Sequence, residues 1–520
     1  MIATTFLGLF LYCFPAFAQS PASVVPPPKT PPSKALVGAY YFPGWDRPEQ
    51  WYCVKAYPEV RHPLLGYYRE GEPEVADWHI KWALEHGISF FAYDYYLERG
   101  AQMLEHALDG LFASTYINQF KFCLNWCNHS AFEEMTEEEL RRFADVVITK
   151  YLTHPSYLRI EDKPVVMILS GYSFVKNLGI EKAKAAFDEF DARCKAAGLN
   201  GVYLVFCEGN ITSAEALQDS IAAGARKFCL YNYPYAGTDF TGPGRGGEAT
   251  YDHLVDQGEG LWKHWKNLTD DRFWPTVMAG WDRRPWTKDQ DLVRTGLTPE
   301  LFKDSLQRAM NNLNSDNILM IEAWNEWGEG SILEPDIETG FAYVDVVREV
   351  VCPEAETHFD VSPDTLGIPR PEWQFDLPSK THWVFNRDLE GVTGTGTEPP
   401  NAAGGALQVI SKTNDPQLNI PVTYIACAKY KKCRLRMRLT PLQEQMPAEV
   451  TGQIFWSTTR TVMSGETCAT FKAILDDQWH EYEIDLSAIA TWQGTTDRLR
   501  LDPVDQAEIK VWIDTLDISE

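Results

Sequence analysis

Between residues 36 and 322, strand-like apolar runs alternate with helix-like stretches, and this alternation narrows the possible folds more than any other feature of the chain. The strand-like runs are residues 36–41, 88–93, 120–125, 165–169, 202–208, 227–231, 275–279 and 317–322. Helical patterns fall between most of them, at 74–86 after the start signal Pro73, at 135–151 with an acidic first turn, and at 180–197, 214–223, 251–265 and 300–313. Eight strands with intervening helices predict a (β/α)8 TIM barrel, an α/β fold of roughly 250 residues. A doubly wound open sheet is the competing arrangement. The glycine fingerprint that accompanies it is absent, because the glycine cluster at 241–247 does not directly follow a strand and contains Pro243.

A barrel places its functional residues just after the strands. Tyr40 and Tyr41 follow the first, with His62 in the long loop beyond, and Asp94 and Tyr95 follow the second. The third supplies Asn125, Trp126 and His129, the fifth Glu208, the sixth Tyr231 and Tyr233, and the seventh Trp281 and Asp282. These side chains are the candidate substrate contacts. The eighth run leads from Glu322 through Trp324, Asn325, Glu326, Trp327, Gly328 and Glu329 to Gly330, with Glu334 and Asp336 beyond. Carboxylates are costly to bury beside aromatic rings without partners or a purpose. Glu326 and Glu329 stand three apart around a glycine, so one tight loop can aim both at the same bond. Paired acids walled by aromatic rings fit glycosidic-bond chemistry, in which one group exchanges a proton and the other acts from another side. Glu322, Trp324, Asn325 and Glu334 join the candidate contacts around this pair.

The segment Asn325-Glu326-Trp327-x-Glu329-Gly330 resembles the signature of glycoside hydrolase family 99, the endo-α-mannosidase and endo-α-mannanase family. The longer run from Ala323 to Gly330, followed by Leu333-Glu334-Pro335-Asp336, resembles the WbsX-like branch more closely, as do residues 38–45, 62–68 and 78–88. Some members of that branch are labelled glycosyltransferases. The resemblance spans about residues 36–350. It implies that Glu329 protonates the leaving oxygen and later activates water. It also implies that Glu326 draws the proton from a substrate 2-hydroxyl, whose oxygen closes an epoxide-like intermediate with retention of configuration. Family 99 proper has His where this chain has Gly328.

At 520 residues the chain exceeds one ordinary core, so a second domain is expected. From about residue 373 helical patterns give way to short alternating segments separated by Gly, Asn, Asp and Pro. This predicts an all-β jelly-roll sandwich over 373–520, either carbohydrate-binding or a buttress. Residues 352–372 are acidic, carry four prolines and form the expected linker from a barrel over 36–351. Residues 1–18 read as a secretory leader ending Ala16-Phe17-Ala18, and the Pro-rich residues 19–35 as an extended tether. The expected location is periplasmic or extracellular. The net charge of −26 argues against nucleic acid as a partner, and nothing beyond the leader is long and apolar enough to span a membrane. A polysaccharide or oligosaccharide is the expected partner, with the chain a monomer. Glycosyl transfer and silent polysaccharide binding are the alternative readings. The 11 cysteines are irregularly spaced, and Cys123 and Cys127 beside His129 lack the second pair of a closed zinc site, so neither metal nor cofactor is expected.

Overall fold

A computed structural model describes residues 23–57, 61–98, 101–127, 136–209, 213–240, 242, 244, 246–288, 290–375 and 380–520. The leader reading over residues 1–18 and the candidate His129 lie outside these residues. The expected barrel is present. Its strands are Leu36–Tyr41, Ile88–Glu98, Lys121–Trp126, Lys163–Leu169, Tyr203–Glu208, Lys227–Leu230, the paired halves Phe273–Trp274 and Thr276–Met278, and Ile318–Glu322. All neighbours in this ring pair in parallel. The seventh strand is broken at Pro275, which has no amide hydrogen to give a ladder. Its first half pairs with the sixth strand and its second half with the eighth, and the Pro275 carbonyl accepts from Met320 N at 2.9 Å, so the ring closes.

The helices cover this ring. Pro73–Glu85, Glu137–Val147, Ile180–Ala196, Ala214–Ala223, Tyr251–Leu268 and Pro299–Met310 fall on the expected helical stretches. Thr136 caps the second of these by accepting from Glu139 N, ahead of three consecutive glutamates that favour a helix start. His106–Ala113, Gly171–Leu178 and Ala342–Val351 were not anticipated. The first two have only eight residues, and Gly110 interrupts one of them, so tertiary packing rather than propensity sustains them.

Two connecting segments pack more closely than expected. In the Pro-rich stretch Val25 is buried, and its carbonyl accepts from Tyr116 Oη. Lys29 N donates to Glu85 Oε1 at 3.1 Å, so residues 23–35 lie against the barrel instead of forming a free tether. The 352–372 segment is likewise packed. Trp82 Nε1 donates to Val361 O at 2.8 Å, Ser362 caps the short helix Pro363–Leu366, and Trp373 N reaches Tyr67 O at 2.8 Å.

Residues 382–519 form two antiparallel sheets whose facing side chains make a separate apolar core, the sandwich expected from the alternation. In Lys432–Pro441, Cys433, Leu435, Met437 and Leu439 point inward and Arg434, Arg436 and Arg438 point out, following the two-residue period of a strand. Arg460 of the sandwich donates to Ala56 O at 2.6 Å, and Lys288 pairs with Asp497. All ten described cysteines are free thiols. Among the described residues no helix is long and apolar enough to cross a membrane.

Candidate active site

After the eighth strand the chain folds into a tight hairpin, with Asn325–Glu326 antiparallel to Ser331–Ile332. Glu329 N and Gly330 N both donate to Glu326 O, at 3.0 and 2.8 Å, and Gly330 takes φ +72°, where a side chain is strained. Two anchors fix the hairpin. Asn325 accepts from Phe42 N at 2.8 Å and donates to Phe42 O at 2.9 Å, tying it to the first strand's loop. Asp282 N donates to Glu329 O at 2.5 Å, and the Asp282 carboxylate pairs with Arg61 at 2.9 Å and Arg284 at 2.7 Å.

The hairpin brings Glu326 and Glu329 to the mouth of the barrel. Tyr231 Oη lies 2.9 Å from Glu326 Oε1 and 2.6 Å from Asp94 Oδ2, and Asn125 Nδ2 donates to Asp94 Oδ1 at 2.9 Å. A phenol carries one proton, so with both contacts made one of the two carboxyls must itself be protonated. Burial lifts Asp94 to about 6, against the bonds from Tyr231 and Asn125. Burial, then the nearby charge of Glu329, raises Glu326 well above the carboxylate range. Glu329 pairs with Arg283 at 3.1 Å; burial pushes its carboxyl up and Arg283 pulls it back, leaving it at about 7. The Glu326–Glu329 pair therefore resists double ionisation at neutral pH, and its two groups titrate together.

These groups open into a cleft of about 970 Å³. Its far side is built by the fourth and fifth strand ends. Glu208 is buried there and accepts from Tyr172 N at 2.7 Å, at the start of helix Gly171–Leu178; burial drives its carboxyl to about 8. Gly171 makes this approach possible, since a Cβ there would lie 2.4 Å from the Phe206 ring. Phe42, Tyr96, Ser170, Tyr172, Lys176, Arg283 and Trp286 also line the cleft.

Of the sequence candidates, Asp94, Glu208, Tyr231, Glu326 and Glu329 line this cleft. Several others are turned away by strand alternation. Tyr95 faces the helix layer against Phe143 and Tyr151, and Trp126 stacks on Phe143 at 4.3 Å. Tyr41 likewise points outward to His79. Tyr40 fills the barrel interior and donates to Leu230 O at 2.9 Å, with its ring 4.7 Å from Tyr231, and Tyr233 donates to Thr276 O. Asn125 acts behind Asp94, while Asn325 and Asp282 hold the hairpin. Glu322 is fully buried beneath it and bonded to Ser331 Oγ at 2.6 Å. Glu334 is held inside the wall by Tyr68, His79 and Trp327. Trp281 is buried, and His62 pairs with Glu338 at the periphery. The aromatic wall expected beside the glutamate pair, with Trp324 among its candidate contacts, is not made by Trp324 or Trp327. Both are fully buried anchors, and neither lines the cleft.

The aromatic wall comes instead from Phe42, Tyr96, Tyr172 and Trp286. Trp286 stacks on Trp45 at 6.0 Å and covers Gly328, where a Cβ would lie 1.8 Å from its ring. The missing side chain at 328 is thus the space Trp286 occupies. Gly328→Ala is expected to force the indole off this stack and to cost about 1–3 kcal/mol of stability through overpacking, measurable by thermal unfolding and tryptophan fluorescence. Tyr96 was within reach of the sequence, because it shares the parity of Asp94. Tyr172 follows the fourth strand, whose end carried no recognised motif. Trp286 had no local signal.

The family model for glycosyltransferase WbsX matches residues 54–347, more than half of the chain. The chain belongs to the WbsX family. It is 23% identical over 372 residues to the uncharacterized protein WxcX of Xanthomonas campestris pv. campestris, covering 64% of this chain and 48% of that protein. The WxcX of a second strain matches at 23% over 364 residues. The chain thus spans about half the length of the curated relatives it matches. Among solved structures, a glycoside hydrolase-like protein is similar at 16% identity and TM-score 0.47, covering 64% of this chain and 97% of its own. The family 99 endo-alpha-mannosidase of Bacteroides thetaiotaomicron is similar at 16% and TM-score 0.44, covering 60% and 95%. A family 29 carbohydrate binding module covers 26% of this chain and 86% of its own at 14% identity and TM-score 0.19.

Proposed function

We propose that this WbsX-family chain is an exported glycoside hydrolase that cleaves internal α-linkages of a neutral polysaccharide with retention of configuration, with mannan, rhamnan and fucan types as candidates. The observation that carries this reading is the pair Glu326 and Glu329 on one hairpin at the barrel mouth, sharing proton affinity in a wide cleft. In the proposed step, protonated Glu329 gives its proton to the leaving oxygen as the glycosidic bond breaks. Glu326, ionised, takes the proton of the substrate 2-hydroxyl, and that oxygen bonds to the anomeric carbon. Water then opens the strained ring, giving its proton to Glu329, while Glu326 returns its proton to the sugar oxygen. Tyr231 donates to Glu326 Oε1 and favours its charge, whereas the charge of Asp94 opposes it; the opposition from Glu329 is absent while Glu329 holds the proton. The sandwich, with Trp479 and Trp512 flanking Arg438 on its outer face, is a candidate glycan platform on the same chain.

The family's description favours glycosyl transfer as the second reading. Against it, the described residues lining the cleft include Asp94, Glu208, Glu215, Asp219, Glu326 and Glu329, against Lys176 and Arg283 as cations. A nucleoside diphosphate sugar would meet net repulsion there. The deciding experiment offers neutral and sulfated α-mannans, rhamnans and fucans with and without nucleotide sugars, and resolves the products by chromatography. The expected result is release of reducing ends from a neutral polymer, independent of nucleotide sugar. New glycosidic bonds formed only when a nucleotide sugar is present would overturn it.

A further inference from the structure

Helix Pro73–Glu85 runs into the start of the second strand, so its last residues sit at the end of the barrel opposite Glu326 and Glu329. His86 is fully buried there, and its Nδ1 lies 2.6 Å from the carbonyl of Trp82. A carbonyl only accepts, so Nδ1 carries the hydrogen and the neutral ring has its lone pair on Nε2. That nitrogen faces Asp360 Oδ1 at 3.1 Å. His358 Nε2 lies 3.2 Å from the same oxygen, yet it makes no hydrogen bond among the described residues. Glu85 completes the group. Its Oε1 is taken by Lys81 at 2.6 Å and Lys29 N at 3.1 Å, whereas its Oε2 is buried without a hydrogen-bond partner among the described residues, 3.8 Å from His358 Nε2.

Two imidazole nitrogens and the Asp360 carboxylate thus converge, with the donor atoms of His86, His358 and Asp360 all within 4.8 Å of one another, and Glu85 Oε2 stands beside His358. Nitrogen and oxygen ligands about 2.0–2.1 Å from a tetrahedral zinc ion stand about 3.4 Å apart, and the two contacts to Asp360 Oδ1, at 3.1 and 3.2 Å, fall near that spacing. A metal-bound histidine commonly donates its other ring hydrogen to a backbone carbonyl, as His86 does to Trp82. Glu85 Oε2 and His358 Nε2 are thus left without a hydrogen-bond partner among the described residues, which is unfavourable for buried polar atoms. The nearby cations are engaged elsewhere: Lys81 is on Glu85 Oε1, and the Arg348 guanidinium is directed at the carbonyls of Glu85 and Glu356. Asp345, half exposed, stands 3.4 Å from His86 Nε2 at the rim.

We propose that Glu85, His86, His358 and Asp360 form a site for a divalent cation of the zinc class. The site staples the segment after helix Ala342–Val351 to the base of the barrel. It has four protein ligands and lies at the end away from the cleft, so it is structural and closed.

The test uses the full chain, stripped with a chelator and titrated with Zn²⁺ by calorimetry, with metal content measured on protein as purified and Co²⁺ as a spectroscopic probe. One zinc per chain and a tetrahedral cobalt spectrum are expected. His358→Ala and Asp360→Asn, on the segment outside the barrel, are expected to keep their circular dichroism and to bind zinc more than about 100-fold more weakly, a larger loss than an outer-shell change causes. His382→Ala, an exposed histidine of the sandwich, is expected to bind as the parent does. Zinc binding at full affinity in both His358→Ala and Asp360→Asn would overturn the site, as would no binding by the folded, stripped parent.

Discussion

Glu329→Gln is expected to lower glycosidic cleavage by about 10²–10⁴-fold, the contribution of a positioned general acid, with substrate binding retained. The amide keeps the shape of the side chain and removes the proton it gives. The pH dependence of the parent follows from the same group. Glu329 must be protonated to act as the acid, and burial against Arg283 leaves it at about 7. The rate is therefore expected to fall as pH rises through about 7. Arg283 holds the carboxyl down, so removing that cation in Arg283→Met raises its proton affinity and moves the alkaline limb to higher pH. Rate profiles of the parent, Glu329→Gln and Arg283→Met read all three effects. Cleavage by Glu329→Gln at the parent's rate would remove Glu329 from the role of acid, and an alkaline limb that stays in place in Arg283→Met would show that another group sets it.

Glu208→Gln is expected to stabilise the protein at alkaline pH and to change little near pH 5. Glu208 is 3% exposed, and burial lifts its carboxyl from about 4.5 to about 8. The folded state therefore holds this proton more tightly than the unfolded chain does. The stability that this preference contributes is complete below the ordinary carboxyl range and is lost as pH rises through about 8. At about 1.4 kcal/mol per tenfold difference in proton affinity, the loss is on the order of 4 kcal/mol by pH 9. Glutamine carries no charge at any pH and keeps an oxygen to accept from Tyr172 N. Thermal unfolding at pH 5 and pH 9 measures the difference. A gain of equal size at both values would show that Glu208 ionises freely in the folded chain. Because Glu208 also lines the cleft, the same variant reports separately on substrate affinity.

The sequence alone determined the eight-strand alternation, the all-β texture after residue 373 and the tight loop that carries Glu326 and Glu329. Each is a local property. Apolar period, a helix cap such as Thr136 and a glycine such as Gly330 act within a few residues of themselves. Asp94, Glu208 and Tyr231 are legible in the sequence because residues at the ends of barrel strands share one end of the barrel. Their orientation is not. Tyr95 and Trp126 differ from Asp94 and Asn125 only in parity, and inward parity becomes visible once the neighbouring strands are in register. Only the tertiary structure decided that Trp324 and Trp327 are anchors while Trp286 walls the cleft, since all three are tryptophans beside the same glutamates in sequence or in space. It alone joined His86 to His358 and Asp360, which are brought together by the packing of the 352–372 segment across helix Pro73–Glu85. The proton affinities of Glu208, Glu326 and Glu329 belong to the same class. They arise from desolvation and from charges delivered by other strands, and neither exists until the chain has closed its barrel.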